Sequence, residues 1–260
     1  MLKSIFTPYA SLSRSASAVV AAAWIGILLV LWTSFHGQAF PSPTAVLHAL
    51  GYLITERGLL FELFVSLKLN VISLTIASVI SLGLCYLLPL PFMRPLVDMT
   101  SLVRFAGFAG LTFTFTVLIN DAQLRKVVIM VFSLVPWIVT SLSRSIQSIE
   151  DGEYQHARTM KMGHVETTWH VIIRGHLYDA LDAIRQNLGI AWAMVATVEG
   201  LVKFAGGVGV VMLESQKYNH IDQIFATLTV ILALGLVQDL ILRGLRAWLC
   251  PYASLNERSF

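Results

Sequence analysis

The chain has 260 residues, 56% of them hydrophobic and 13% charged, with a formal net charge of +3. A soluble domain carries about 25% charged residues. With a mean hydropathy of +0.73, this composition excludes an ordinary soluble fold and predicts an all-α, polytopic membrane protein. Apolar blocks separated by polar loops read as helices rather than as a barrel. The small positive charge is explained by loop bias, since no basic run suited to nucleic acid occurs. Cys85 and Cys250 lie near the ends of apolar blocks, without metal-ligand spacing and without an implied disulfide.

In chain order, residues 1–17 are short and polar, and 18–35 form an uncharged block. That block is long enough to span, given that about 20 residues cross a core of about 30 Å. A cleavable signal is the rival reading, but its apolar core is usually about 7–15 residues. Ser42 caps a predicted short helix whose first residue is Pro43, placed outside the membrane. The second span is 63–88, with Lys68 and Asn70 near its start; Pro89, Pro91 and Pro95 then turn the chain around Arg94. The third span, 96–119, carries Asp98, Arg104, Gly107 and Gly110, small and polar residues that suit packing against other helices. After a polar turn at 120–126 comes the fourth span, 127–142, kinked at Pro136. The fifth span is 183–201 and the sixth is 224–242, with a Gly-rich loop between them.

Six spans put both termini on one side. With the termini inside, twelve of the eighteen basic residues lie in inner loops and tails, which favours cytoplasmic termini. The longest polar interval, 150–185, falls on the same side. It holds Arg158, Lys161, Arg174, Arg185, four histidines and six carboxylates. Each ionised group would cost about 2.5–3.5 kcal/mol at the bilayer centre. The interval therefore faces water.

Within it, a helix over 153–162 would present Tyr154, Ala157 and Lys161 on one face. Ala157 would permit close approach to a partner, and Tyr154, Arg158 and Lys161 would supply area and charge. The residues alone leave open a docking helix or a solvated loop. His156, His164, His170 and His176 lack the spacing of a helical zinc pair, so no metal site is expected. No nucleophile elbow, HExxH motif or phosphate-cradling Gly-rich loop with Lys-Ser/Thr occurs, so no enzymatic activity and no cofactor are expected in this chain. Glu199, at the end of the fifth span, is costly there unless it faces water or a partner. It reads either as part of a gate or as a headgroup-level carboxylate paired with Lys203. Asn187 and Asp239 are candidates for polar contact between helices, and Met194, Trp192 and Phe108 line a path or simply pack.

Several stretches together carry a resemblance: PSPTAVLHAL, SLKLNVISLTIASVISLGL, the polar interval, IRQNLGIAWAMVATVEG and GGVGVVM, followed by a last span ending in Arg243 and Arg246. The chain resembles the permease subunits of ABC importers of the nitrate/sulfonate/taurine/bicarbonate group, over nearly all of residues 1–260. The resemblance implies one transmembrane domain with a cytoplasmic coupling helix between the fourth and fifth spans, in the loop 150–176. That helix would dock into an ATPase through Glu153, Tyr154, Gln155, His156, Ala157, Arg158, Met160 and Lys161. The family's Glu-Ala-Ala falls on Gln155, His156 and Ala157, its Gly on Lys161, and its Leu-Pro on Ile173 and Arg174, so of these only Ala157 matches.

The resemblance also implies a translocation path or gate at Glu199, Gly207, Gly209, Asn187 and Met194. Partners would be a second permease subunit (a copy or a related chain), two cytoplasmic ATPases that hold ATP and Mg, and an external solute-binding protein. The location would be a bacterial inner membrane, and the solute a small anion such as a sulfonate or nitrate. Two alternatives stand beside this: a non-transporting or degenerate half of an unequal pair, and an ion-coupled secondary transporter, for which neither an internal repeat nor a central acid pair is found.

Overall fold

The computed structural model describes residues 14–34, 40–105, 108–149, 151–202 and 205–251. Gly107 and Lys203, singled out above, lie outside these residues, as do residue 150 of the polar interval and the side chain of Phe108. The described chain is a helical bundle. Four of its helices are long and apolar enough to cross a membrane. These are α1 (Arg14–Ser34), α3 (Leu59–Tyr86), α6 (Ala122–Gln147) and α12 (Ile221–Leu249).

The short helix α2 (Pro43–Thr55) forms where its sequence predicts a helix. Pro43 occupies the first turn, and the Ser42 hydroxyl accepts from the Ala45 N–H at 3.3 Å. The second predicted span begins earlier, at Leu59, and ends at Tyr86, just before the prolines. The fourth is longer than 127–142. Asp121 caps it by accepting from Gln123 N–H at 3.1 Å, so the supposed polar turn around Arg125 and Lys126 is helix. The sixth extends to Leu249 and takes Arg243 and Arg246 into its last turns.

Two predicted spans are not single helices. The third divides into α4 (Arg94–Leu102), a 3-10 turn at Val103–Phe105, and α5 (Phe108–Leu118). Neither piece reaches 30 Å at about 1.5 Å per residue. Arg104 lies within the 3-10 turn at the interruption. The fifth divides at Asn187 into α9 (Leu177–Gln186) and α10 (Leu188–Leu201). The Gly-rich loop is also partly helical: α11 spans Val208–Lys217.

The core forms where α3 lies along α6. Small residues of α3 (Ser66, Asn70, Ser73, Ala77, Ser81 and Cys85) recur at intervals of three and four on one buried face. They let the backbones approach, the mode of packing expected where lipid supplies no hydrophobic drive. Cross-helix bonds follow: Ser81 donates to Val135 O at 3.5 Å and Cys85 to Val139 O at 3.7 Å. From α6, Met130, Leu134, Ile138 and Leu142 are fully buried, and from α10 so are Ala191 and Val195. Trp192 donates to Gln238 at 3.0 Å, tying α10 to α12. By contrast, α1 turns nearly all its apolar side chains outward (Trp24 is 63% exposed), as a lipid-facing helix does.

Candidate functional site

Two groups of polar residues stand out, at opposite ends of α3. A helix of this length covers about 40 Å, so the groups sit a membrane's width apart.

The first is built around the N-terminus of α11. A helix start leaves N–H groups without intrahelical partners, and burying them requires acceptors. Here three successive amides are met from two other helices. Gly207 N–H donates to Glu62 of α3, Val208 N–H donates to Ser66 Oγ at 2.9 Å, and Gly209 N–H donates to Glu199 Oε2 at 3.0 Å. The Ser66 hydroxyl in turn donates to the Glu199 carboxylate at 2.8 Å. Two carboxylates thus face the positive end of the helix dipole. Lys126 of α6, itself fully buried, donates its ammonium to Gly206 O.

The glycines are sterically required. Gly206 and Gly207 have φ of +68° and +106°, a region costly for residues with a Cβ. A Cβ on Gly207 would overlap the Glu199 carboxylate, and one on Gly209 would overlap the Ala196 carbonyl. Glu199 is therefore not open to solution. Its carboxylate is wholly buried among donors of its own chain, and α3, α6, α10 and α11 meet there. Glu62, Ser66 and Lys126 escaped the sequence reading. Glu62 and Ser66, four apart on one helical face, were the available signal.

The second group is the polar interval. Its first helix, α7 (Asp151–Thr159), is shorter than the predicted 153–162. Lys161 follows it in a left-handed conformation (φ +58°), and Met162 N–H closes back onto Ala157 O at 3.2 Å. Of the face predicted to meet a partner, Tyr154 and Ala157 turn inward while Lys161 stays exposed. Ala157 is 3% exposed, and Tyr154 packs on the core. As the most apolar positions of a polar helix they are the ones the protein buries. The burial also pushes the Tyr154 phenol up. The outward side carries Gln155, His156, Arg158 and Met160, with Glu153 at its edge.

Beyond it, α8 (His164–Thr167) runs into a π-helical stretch, Thr168–Gly175. These leave Val165 83% and Trp169 55% exposed. A groove of 770 Å³ runs between them and the end of α3, lined by Tyr86, Leu90, Tyr154, Arg158, Val165 and Trp169. His176 closes the segment. Its Nδ1 lies 2.9 Å from Asp179 and its Nε2 lies 3.2 Å from Glu153 of α7. Burial opposes the imidazolium, but hydrogen bonds and the charges of the two carboxylates outweigh it and raise the His176 pKa above its ordinary value.

The remaining predicted residues are dispersed. Asn187 is buried at the junction of α9 and α10, donating to Ser141 Oγ at 2.9 Å and Ala183 O at 2.7 Å. Asp239 does make an interhelical contact, accepting from Arg185 at 2.8 Å. Met194 lies half-buried against the core. Among the described residues no three His, Cys, Asp or Glu side chains gather as a metal site requires.

No family model matches the chain. Among curated proteins it is 23% identical over 87% of each chain to the nitrate import permease protein NrtB of Synechocystis. It is 19% identical to the putative aliphatic sulfonates transport permease protein SsuC of Bacillus subtilis, over 89% of this chain and 86% of that one. With the taurine transport system permease protein TauC of Escherichia coli it is 22% identical over 130 residues, a match that spans half of this chain and 47% of that protein. Among solved structures, an amino acid ABC transporter aligns with a TM-score of 0.54 at 17% identity, over 78% of this chain and 94% of that one. By sequence and by fold, then, this multi-pass chain is a relative of the permease subunits of ABC importers.

Proposed function

We propose that the chain is a transmembrane permease subunit of an ATP-driven importer in a bacterial inner membrane, with both termini cytoplasmic. It carries a small anion, of the chemical kind named for its taurine, nitrate and sulfonate relatives, delivered by an external binding protein. The pieces α4–α5 and α9–α10 complete six crossings with the four long helices. A second permease and two ATPases, which bind ATP and Mg, complete the assembly.

The observation that carries this reading is the form of the polar segment. A lever must be fixed to the part it moves and open to the part that moves it. The segment is held to the bundle by Tyr154, Ala157 and His176, while Gln155, Arg158, Met160, Val165 and Trp169 stay open at the membrane's edge. An ATPase closing on nucleotide would push this face. Hydrolysis belongs to that partner; the part of this chain is to convert the push into helix movement. At the other end, Glu199, Gly207 and Gly209 hold four elements in fixed relation, so they shape the gate from behind rather than touch solute. Asn187 and Met194 act on the path in the same indirect way.

The departure of Gln155, His156 and Ala157 from the family's Glu-Ala-Ala supports a second reading, the less active half of an unequal pair. Mass-spectrometric inventory of the detergent-solubilised complex, followed by solute-stimulated ATP hydrolysis, tests both. The importer reading expects an ATPase in the complex and loss of stimulation on Arg158→Glu with Lys161→Glu. Retained stimulation in that variant favours the degenerate half, and absence of any ATPase contradicts both.

A further inference from the structure

A third cluster of charges lies where α9 meets the cytoplasm-proximal end of α12. Asp182 Oδ1 accepts from Arg185 at 3.0 Å and also from Arg246 of α12. Asp239 of α12 accepts from Arg185 at 2.8 Å and pairs with Arg243 at 2.7 Å. Gln186 donates to the second oxygen of Asp182 at 2.6 Å, and the Arg246 guanidinium lies over the Tyr178 ring at 4.4 Å. The side chains of Asp182, Arg185, Asp239 and Arg246 are each about one-fifth exposed (21%, 21%, 19% and 19%). Water therefore screens these pairs less than it screens surface pairs.

The pairing is reciprocal. The acid of α9 binds a base of α12, and the base of α9 binds an acid of α12. Such an arrangement fixes register: displacing α12 by one turn would bring Arg243 to Arg185, like against like. The same helix α9 is joined at its start to the polar segment, because His176 bridges Asp179 of α9 and Glu153 of α7. At its end α9 is separated from α10 by the break at Asn187. Side-chain contacts thus join α7 to α9 through His176, and α9 to α12 through Asp182 and Arg185, with the helix α9 itself between the two.

We infer that Asp182 and Arg185 are positioning residues of an ionic junction through which movement of the polar segment is passed to the last helix. The inference rests on the lever reading of that segment. α9 and α12 travel together when α7 is pushed. Losing one charge leaves its partners unmatched in a half-buried site, which is more disruptive than the net worth of the pair.

The test places spin labels at Gln155→Cys in α7 and Trp248→Cys in α12, both exposed positions, with Cys85 and Cys250 replaced by serine. Distances are measured by pulsed dipolar spectroscopy in bilayer nanodiscs. Asp182→Asn and Arg246→Gln are each expected to broaden the distance distribution by roughly twofold, and the two together to broaden it no further than either alone. An unbroadened distribution in both single variants, or effects that simply add in the double variant, overturns the junction. The measurement needs no ATPase, so an assembly lacking one would sink the lever reading and leave the distance result standing as evidence on the junction alone.

Discussion

Glu199 shows how little a charged residue in a span says about function until its partners are known. Its carboxylate caps another helix and meets Ser66, and the glycines that surround it are there because nothing larger fits. Gly209→Ala would drive a methyl group into the Ala196 carbonyl, a backbone atom that cannot swing aside. The expected loss is about 1–3 kcal/mol, read as a lower thermal midpoint in detergent, with the helical Gly189→Ala, which meets open space, as a control that does not lower it.

His176 gives a prediction in pH. Its folded-state pKa is raised above the ordinary histidine value, against burial, by Asp179 and Glu153. A raised histidine stabilises the fold fully below its unfolded pKa, and that stabilisation disappears as pH rises through the folded value. Protease resistance of α7 is therefore expected to be highest in acid and to fall as pH rises past about 6.5, through the raised folded value. His176→Gln should start low and lack this dependence; a pH-independent wild type would contradict it.

Among the elements, α2 was readable from local chemistry, because a serine before a proline states where a helix begins. Ser42→Ala should cost about 1 kcal/mol, seen as faster amide exchange in the first turn of α2. Its preserved exchange protection would show that packing, not the cap, holds the helix. The start of α6 was not readable. Arg125 and Lys126 in sequence look like a turn, and a buried Lys126 is tolerable because the Gly206 carbonyl, eighty residues away, accepts from it and the carboxylates of Glu62 and Glu199 lie near. The broken third and fifth segments were hidden for a related reason. Hydropathy reports whether a stretch suits lipid, and it is nearly blind to a break such as Asn187, whose side chain is satisfied by Ser141 of another helix. The inward turn of Tyr154 and Ala157 is of the same kind, since periodicity places residues on one face without saying which way it looks.

Over the whole molecule, composition was enough for class, and loop charge for a proposed orientation. The distances that organise function were not in the sequence order: Asp182 reaches Arg246, and Glu199 reaches Ser66, each across a large part of the chain. The resulting bundle has a rigid knot at one end and an open, tethered polar segment at the other. The account requires that the open end face the cytosol, where an ATPase can reach it. Labelling of Gln155→Cys with a membrane-impermeant maleimide tests this directly, since Cys85 and Cys250 are buried. The account predicts no labelling in intact cells and full labelling once the membrane is opened, and labelling of intact cells would contradict it.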